Sequence, residues 1–258
     1  MKRIVELKAL DTRSAAGQAM GDAPGWQMLL DPSSRQGADG FLNGASRNDL
    51  LTTGNWPLGS DNDATFDNGE AAYRVTSGFT SSTGFGRRLK TTFALNPTEW
   101  TFFFVVAMDI TPSVGAFSFI QPETVTGGGL GIGLRVIMAT NGRLRVLETS
   151  SNNIRLEAPS NTFPDDVPHL IMVTFSTRDG LRVYKDGQLY LSDPDDKRPL
   201  DDQTGPGEYY LMSNRTESVD DVRVGMMGLL SADLSWPEHA EERLKIEEFL
   251  IDKYGIAE

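Results

Sequence analysis

The stretch HLIMVTFSTRDGLRVYKDGQLYLS, residues 169–192, decides the fold that we predict for this chain. It contains three short apolar runs, which are separated by Asp-Gly pairs at 179–180 and 186–187. Asp-Gly between alternating apolar residues is typical of a tight β-hairpin, because a type I′ turn requires a positive φ at both central positions. The pattern predicts three antiparallel strands, and the apolar positions of the last two share one face: Leu181, Val183, Leu189 and Leu191. Such a sheet has one apolar face, so we expect a second sheet to cover it.

Further strand-like segments precede and follow this meander. The run WTFFFVVAMDI at 100–110 is apolar on both faces, as in a central strand that is covered on each side. Asn141-Gly142 predicts a second hairpin between strands at 134–139 and 143–149. Many short strands with regular turns and no repeat of fixed period indicate a β-sandwich or jelly roll.

One helix is predicted, close to the C-terminal end. Ser235 and Glu238 have the spacing of a capping box, and Gly255 suits the position that ends a helix. An apolar stripe at helical spacing consists of Ala240, Leu244, Leu250, Ile251 and Tyr254. Phe249 falls on the opposite side, where we expect it to be exposed.

Residues 1–10, MKRIVELKAL, are compatible with a short strand, after which apolar periodicity fades, and residues 11–55 are rich in Gly, Ala, Ser, Asp and Asn. Stretches of this length without regular structure are uncommon in compact domains and often serve docking. Two interpretations stay open: an irregular segment wrapped over the domain, or an arm that attaches the protein to a partner. We therefore divide the chain into an N-terminal arm or docking segment, 1–55, and a β-sandwich with a C-terminal helix, 56–258.

The composition argues against several classes of function. The chain of 258 residues has a formal net charge of −12 and no cysteine. The acidic balance and the lack of any cluster of Lys and Arg in the sequence argue against a nucleic-acid binder, and without cysteine the chain has neither disulfides nor thiolate metal ligands. No apolar run is long enough to span a bilayer, and the start MKRIVELKALDTR lacks the apolar core of a secretion signal. We expect a protein made in a cytoplasm, with no nucleic-acid partner and no membrane insertion.

Two segments resemble the laminin G-like form of the concanavalin A-like lectin/glucanase superfamily. The first carries the Tyr-x-Asp-Gly turn of that fold's central hairpin at Tyr184, Asp186 and Gly187. The second is VRVGMMGLLSADLS at 222–235, followed by RLKIEEFLIDKYGI at 243–256. It is similar to the last strand of the family and to its closing E-x-x-L-x-x-K-Y-G helix.

The resemblance covers roughly residues 60–256. It implies an all-β fold, an antiparallel β-sandwich (jelly roll, concanavalin A-like) with one C-terminal α-helix and a long irregular N-terminal arm. The closing pattern is frequent in laminin G-like domains of bacteriophage and other bacterial surface or virion proteins.

The function implied is that of a structural or accessory protein of a phage-type virion, as capsid decoration, head fibre or tail component, made in the host cytoplasm. The implied partners are other virion proteins, contacted through the N-terminal arm, and host surface glycans. A homo-oligomer or a place in a larger assembly is expected. A bacterial carbohydrate-binding module or lectin outside a virion is the alternative.

The sequence contains no recognisable catalytic constellation. Glucanases of the superfamily carry Glu-x-Asp-x-Glu on one strand, so that the acids face the cleft, and no such run exists here. His169 and His239 are not accompanied by a Gly-x-Ser-x-Gly elbow, and we interpret them as a strand-edge and a solvent-facing helical residue. The Gly-rich TGGGLGIG at 126–133 lacks the Lys and Ser/Thr of a P-loop. We expect a non-enzymatic protein, because cleavage of a glycan would require acids from separate strands to converge.

Sugar binding requires an aromatic platform beside hydrogen-bonding groups on a loop-lined face. Our candidate ligand-binding residues are Trp56, Asp61, Asp63, Tyr209 and Tyr210. The stretch SDNDATFDNGE also spaces oxygen atoms as at the start of a calcium loop, and its candidate Ca²⁺ ligands are Asp61, Asp63 and Asp67. Phe66 stands where such a loop has glycine, and Glu70 comes two residues too early. A polar turn without a metal is therefore the alternative, and no other cofactor is expected.

Overall fold

The computed structural model describes residues 23–32, 63–75, 89–93, 95–108, 117–122, 124–125, 129–130, 133–139, 142–148, 153–160, 166–200, 207–214 and 222–257. These residues form two antiparallel sheets packed face to face, a two-stranded ribbon and a C-terminal helix. The predicted class, an antiparallel β-sandwich with a C-terminal helix, is confirmed. In chain order the strands are β1 (Trp26–Leu30), β2 (Asp63–Thr65), β3 (Ala71–Val75), β4 (Leu89–Phe93), β5 (Glu99–Ala107), β6 (Phe117–Pro122), β7 (Thr124–Val125), β8 (Gly129–Leu130), β9 (Leu134–Met138), β10 (Leu144–Glu148), β11 (Asn153–Glu157), β12 (His169–Ser176), β13 (Gly180–Lys185), β14 (Gln188–Asp193), β15 (Gly207–Asn214) and β16 (Val222–Leu230).

Eight of these strands form the larger sheet, sheet A, in the order β14-β13-β12-β5-β16-β3-β2 with β1 added beside β16. Along one edge of β16, residues 222–224 pair with β3 and residues 227–230 pair with β1. Sheet B has the order β11-β10-β9-β6-β15-β4, and β7 pairs with β8. Every one of these pairings is antiparallel, as the hairpin pattern of the sequence predicts.

Strand β5 separates two hydrophobic cores. Phe102 and Phe104 belong to the core between the sheets, where the Phe104 ring stacks on Phe119 of sheet B with centroids 3.9 Å apart. Phe103 and Val105 belong to a second core on the outer face of sheet A. The two-sided apolar run of the sequence therefore reflects cover on both faces, as predicted.

The outer face of sheet A is covered by helix α1 (Ala240–Tyr254). Its sheet-facing positions begin at Ile246 and continue through Leu250 to Tyr254, all of which are buried. Leu244, predicted on the buried stripe, is 48% exposed, whereas Phe249, predicted on the exposed side, packs against the second core. The predicted stripe was wrong at these two positions because it omitted Ile246, from which the true spacing runs.

The predicted capping box is not formed. A 3₁₀ turn at Pro237–His239 precedes α1, and its N-cap is Trp236 without a side-chain cap. The Ser235 hydroxyl instead accepts a hydrogen bond from Arg182 Nη1 at 2.6 Å. The predicted end is confirmed, since Gly255 has φ 63° and closes the helix. No helix in the described part of the chain is long and apolar enough to cross a membrane.

The two predicted Asp-Gly turns differ. Asp186 and Gly187 have φ values of 53° and 79°, as the type I′ turn requires, so the second turn is confirmed. The first is wrong: residues 177–179 form a three-residue loop between the paired Ser176 and Gly180. Of these residues Gly180 alone takes a positive φ, 81°, and a Cβ there would collide with the carbonyl oxygen of Asp193.

Leu189 does not share the face of the other predicted apolar positions. The β13–β14 register shifts between Val183 and Tyr184, so Leu191 lies opposite Val183 but Leu189 lies opposite Tyr184. Leu191 packs against the core between the sheets, whereas Leu189 is 56% exposed. A bulge reverses the alternation that the sequence pattern assumes.

Strand β1 lies within the segment predicted as an arm. Its Met28, Leu29 and Leu30 are buried, and Trp26 packs edge-to-face on Phe103 with centroids 6.0 Å apart. The sandwich therefore includes residues on the N-terminal side of the predicted boundary at 56. The rest of the predicted arm, residues 1–22 and 33–55, lies outside the described residues, and its docking role stays a prediction.

Candidate ligand-binding cleft

A cleft of about 490 Å³ opens beside the C-terminal end of α1. Three segments form it: the turn that follows β2, the residues that precede β12, and the end of the helix with the residues after it. The side chains at its wall combine a carboxylate, an amide and an imidazole with apolar groups, and include Asp67, Asn68, Val167, His169 and Tyr254. This mixture of a few polar groups among apolar ones is typical of sites for small ligands.

The turn after β2 is held by its own backbone and by the helix. Phe66 N donates to Glu70 O at 2.9 Å, and Gly69, at φ 86°, donates to Phe66 O at 2.9 Å. The buried Phe66 ring packs edge-to-face on Tyr254, with centroids 5.0 Å apart. Burial of Phe66 leaves the two following residues, Asp67 and Asn68, exposed at the cleft.

Polar contacts fasten the same turn to the last turn of the helix. Asn68 Nδ2 donates to Lys253 O at 2.9 Å, and Asn68 Oδ1 accepts from Glu70 N at 3.1 Å. Lys253 Nζ forms an ion pair with Glu70 Oε2 at 2.7 Å. The Tyr254 hydroxyl accepts a hydrogen bond from Met226 N of β16 at 2.8 Å. This bond anchors the end of the helix to sheet A, and the turn after β2 is held there through its contacts with the helix.

Arg223 of β16 links the residues that precede β12 to the turn that follows β2. Its Nη1 lies 3.1 Å from Asp67 Oδ1, and its Nη2 lies 3.0 Å from Asp166 Oδ2 and 2.9 Å from the Asp166 carbonyl oxygen. Burial by itself opposes the charge of this guanidinium, but the hydrogen bonds to Asp166 and Asp67 outweigh it and raise the pKa of Arg223. The Arg223 side chain is 13% exposed, whereas that of Asp67 is 91% exposed.

His169 is positioned by the type I′ turn of the second hairpin. Its Nδ1 lies 2.8 Å from Asp186 Oδ2, while Asp186 Oδ1 accepts from Leu170 N at 2.8 Å. Asp186 N also donates to Leu170 O at 2.8 Å. The aspartate of the Tyr-x-Asp-Gly motif therefore fixes both the start of β12 and the orientation of the imidazole at the cleft.

Sequence reasoning assigned no binding role to His169. The signal was present in the hairpin register: pairing of Ile171 with Lys185 carries His169 beside the turn at 186–187. A histidine and a turn aspartate at that spacing are within hydrogen-bonding reach.

The predicted ligand-binding residues are distributed over different parts of the fold. Trp56 and Asp61 lie outside the described residues. Asp63 begins β2 opposite Tyr73, and Tyr210 lies within β15 opposite Gln121 and Lys90. Tyr209 has 0% exposure and belongs to the core between the sheets, which leaves it no face on which a sugar could stack. Of the predicted residues that the structure describes, Asp67, predicted as a metal ligand, lines the cleft.

The described part of the predicted calcium loop has a different local structure from that of a Ca²⁺-binding loop. Strand β2 occupies 63–65, so the described part of the stretch is not the continuous loop that such a site requires. Asp67 Oδ1 contacts Arg223. Within the described residues, no group of three or more His, Asp or Glu could hold a metal ion. Ca²⁺ binding that includes Asp61 stays a prediction.

Comparison with known proteins gives a match in fold. No family model matches the chain, and no curated protein matches it in sequence. The ligand-binding domain of botulinum neurotoxin serotype D, solved in complex with N-acetylneuraminic acid, is 14% identical over 74% of this chain and 45% of that chain, with a TM-score of 0.51. A second structure of the serotype D binding domain is 12% identical over 74% of this chain and 46% of that one, with a TM-score of 0.53.

These matches identify the class of fold. The chain has the β-sandwich architecture of the matched toxin domains and spans less than half the length of those solved structures. At 12–14% identity the similarity shows the fold alone. The predicted antiparallel β-sandwich is confirmed, whereas its membership of the concanavalin A-like superfamily, its laminin G-like form and its phage context stay predictions.

Proposed function

We propose that this protein is a non-enzymatic, lectin-like β-sandwich that binds glycans in the cleft beside the end of α1. The observation that carries the proposal is the cleft itself, which is lined by Asp67, His169 and the apolar side chain of Val167. A carboxylate and an imidazole suit the hydroxyl groups of a sugar, and an apolar wall suits its C–H face. A matched toxin domain was solved with N-acetylneuraminic acid, which supports a carbohydrate ligand for this fold.

The groups around the cleft favour binding over catalysis. Hydrolysis of a glycoside requires one carboxyl group as proton donor and a second as base or nucleophile. Asp67 and Asp166 are both acceptors of one guanidinium, that of Arg223, so neither is placed as a proton donor. His169 is held by Asp186, but the described residues at the cleft wall include no Ser, Thr or Cys for it to activate.

The binding site is tested by filling the cleft without disturbing the sheets. Val167 is 42% exposed at the cleft wall, and Val167→Arg is expected to weaken glycan binding at least tenfold in calorimetric titration. Ile154→Arg is the matched control, since Ile154 is an equally accessible apolar residue (45% exposed) on β11, outside the cleft wall. A site in this cleft would be contradicted if both variants lost binding equally, or if neither variant lost it.

The non-enzymatic part has its own test. Incubation with the glycans that bind is expected to release no reducing ends above the background of a heat-denatured sample. Release that is lost in Asp67→Asn would establish a glycan-cleaving enzyme and overturn this part of the proposal.

For the biological setting, we propose a phage-type virion, in which the protein serves as capsid decoration, head fibre or tail component. The support is the resemblance of the 222–256 segment to the closing strand and helix of laminin G-like virion proteins. A bacterial carbohydrate-binding module or lectin outside a virion is the second candidate. Genes for capsid or tail proteins beside the coding sequence, and the protein itself in purified particles, are the expected findings. Its absence from such particles, together with glycan binding by the free protein, would favour the second candidate.

A further inference from the structure

The cationic groups around the cleft are already paired with carboxylates of the protein. Arg223 binds both Asp67 and Asp166, and its side chain is 13% exposed. Lys253 binds Glu70 at 2.7 Å, and its side chain is 16% exposed. Neither cation presents an open guanidinium or ammonium group to a ligand in the cleft.

The exposed charged groups at the same place are anionic. The Asp67 side chain is 91% exposed, and only its Oδ1 contacts Arg223 among the described residues, which leaves Oδ2 open to solvent. Asp166, on the opposite side of Arg223, is 49% exposed. A ligand that enters the cleft therefore meets the Asp67 carboxylate, whose oxygens accept hydrogen bonds and donate none.

The formal charge of the site has the same sign. Asp67 lines the cleft, and the ion pairs that hold its walls contain three further carboxylates, those of Glu70, Asp166 and Asp186, against the two cations Arg223 and Lys253. The net formal charge of these six groups with His169 is −2 when His169 is neutral and −1 when it is protonated. The formal charge of the whole chain, −12, has the same sign.

From this arrangement we infer the class of glycan that the cleft selects: a glycan with hydroxyl or free amino groups and without carboxylate or sulfate. The inference rests on the proposed glycan-binding function and specifies its ligand. A ligand carboxylate would face Asp67 without a free cation to neutralise it, whereas hydroxyl groups donate to Asp67 and an ammonium group pairs with it. The cleft thus differs in ligand class from a sialic acid site, although the fold is shared with a toxin domain solved with N-acetylneuraminic acid.

The test compares pairs of glycans in which one member carries a charged group that the other lacks. Sialylated and desialylated forms of one oligosaccharide, and N-acetylated and deacetylated glucosamine oligomers of one length, are titrated into the full chain. The sialylated form is expected to bind at least tenfold more weakly than its neutral counterpart, and the deacetylated oligomer more tightly than the acetylated one. Both differences should shrink as salt is raised, because the responsible charges are exposed.

Asp67→Asn is the diagnostic variant, and Asp195→Asn, an exposed aspartate outside the cleft wall, is its matched control. Asp67→Asn should reduce both charge-dependent differences, and Asp195→Asn should leave them unchanged. Tighter binding of the sialylated form, abolished by Val167→Phe, which adds bulk to the cleft wall without a cation, would overturn the inference and leave the proposed glycan-binding function intact. Absence of binding to every glycan of the panel would instead contradict the proposed function, and the inference with it.

Discussion

The guanidinium of Arg155 binds both carboxylate oxygens of Asp196, with Nε–Oδ2 at 2.7 Å and Nη2–Oδ1 at 3.0 Å, and thereby joins the two sheets at one edge of the sandwich. Arg155 lies on β11, the terminal strand of sheet B, and Asp196 follows β14, a terminal strand of sheet A. The side chains are 0% and 6% exposed. The Arg155 guanidinium also lies 4.4 Å from the centroid of Phe175 in the core, so the ion pair covers the interior at this edge.

Loss of one partner of this pair is expected to destabilise the fold strongly. Burial by itself opposes ionisation of Asp196, but hydrogen bonds from Arg155 and Arg198 outweigh it and hold the carboxyl pKa well below its ordinary value. Asp196→Asn leaves the buried Arg155 charge without its counter-ion, which costs about 3–5 kcal/mol of unfolding free energy. Urea unfolding at pH 7, followed by circular dichroism, measures this loss.

Two further variants separate the buried pair from a general effect on the loop. Asp195→Asn changes an exposed neighbour and should alter the free energy of unfolding by less than about 0.5 kcal/mol. The double replacement Arg155→Met with Asp196→Leu removes both charges and should recover much of the loss, because the desolvation penalty disappears with them. A mild effect of Asp196→Asn, equal to that of Asp195→Asn, would show that the pair contributes little.

Glu247 of α1 gives the stability an expected dependence on pH. Burial raises the pKa of this carboxyl from 4.5 to about 7, and Arg243 Nη1 at 3.4 Å offsets the effect only in part. Below pH 4.5 the residue is protonated in both the folded and the unfolded state. Between pH 4.5 and 7 the unfolded state loses this proton while the folded state keeps it, so the free energy of unfolding falls as pH rises. The fall is on the order of 3 kcal/mol.

Glu247→Gln should remove this contribution. The variant is expected to match the wild-type protein near pH 4 and to be more stable at pH 8, by up to about 3 kcal/mol. Urea unfolding at pH 4, 6 and 8 gives the comparison. Glu241→Gln, an exposed change of the same charge on the same helix, breaks the pair with Lys245 and should change the free energy of unfolding by no more than a few tenths of a kcal/mol at each of these pH values. Parallel pH profiles for the wild-type protein and Glu247→Gln would refute this role.

The sequence predicted the features that depend on local chemistry. The turn at 186–187 and the end of α1 at Gly255 follow from residues that accept a positive φ, and the structure has both. The two-faced burial of β5 was likewise visible as an uninterrupted apolar run. These features need no knowledge of distant residues.

Features that depend on long-range pairing were missed. In the β1–β16 pair Trp26 lies opposite Leu230, and the local pattern of apolar residues cannot predict a strand partner 204 positions away. Likewise, Arg223 forms ion pairs with Asp67 and Asp166, which belong to two other segments of the chain, and these pairs hold the walls of the cleft together. Tyr209 was predicted at a binding surface because a tyrosine side chain can either stack on a sugar or pack in a core. The packing of sheet B places it in the core.

Gly225 provides a test of how α1 is fixed to sheet A. A Cβ at this position would lie 2.8 Å from Tyr254 Cζ and 3.0 Å from its hydroxyl oxygen. Gly225→Ala is therefore expected to displace the Tyr254 ring, to weaken its hydrogen bond with Met226 N and to cost about 1–3 kcal/mol of unfolding free energy. In a Tyr254→Ala background the same substitution should cost much less, because the colliding ring is gone. Equal costs in the two backgrounds, measured by urea unfolding, would exclude this contact as the cause.

The N-terminal boundary of the sandwich can be located by two deletions that differ by ten residues. Removal of residues 1–32 deletes β1, whose Met28, Leu29 and Leu30 are buried and whose backbone pairs with residues 227–230 of β16. At about 1.5–3 kcal/mol for each buried apolar side chain, the loss is on the order of 5 kcal/mol, and the vacated edge of β16 would promote aggregation. Removal of residues 1–22 keeps β1 and should preserve the urea midpoint of the full chain. If both deletions unfold at the same midpoint as the full chain, β1 is not part of the stable sandwich, and the boundary predicted at residue 56 stands.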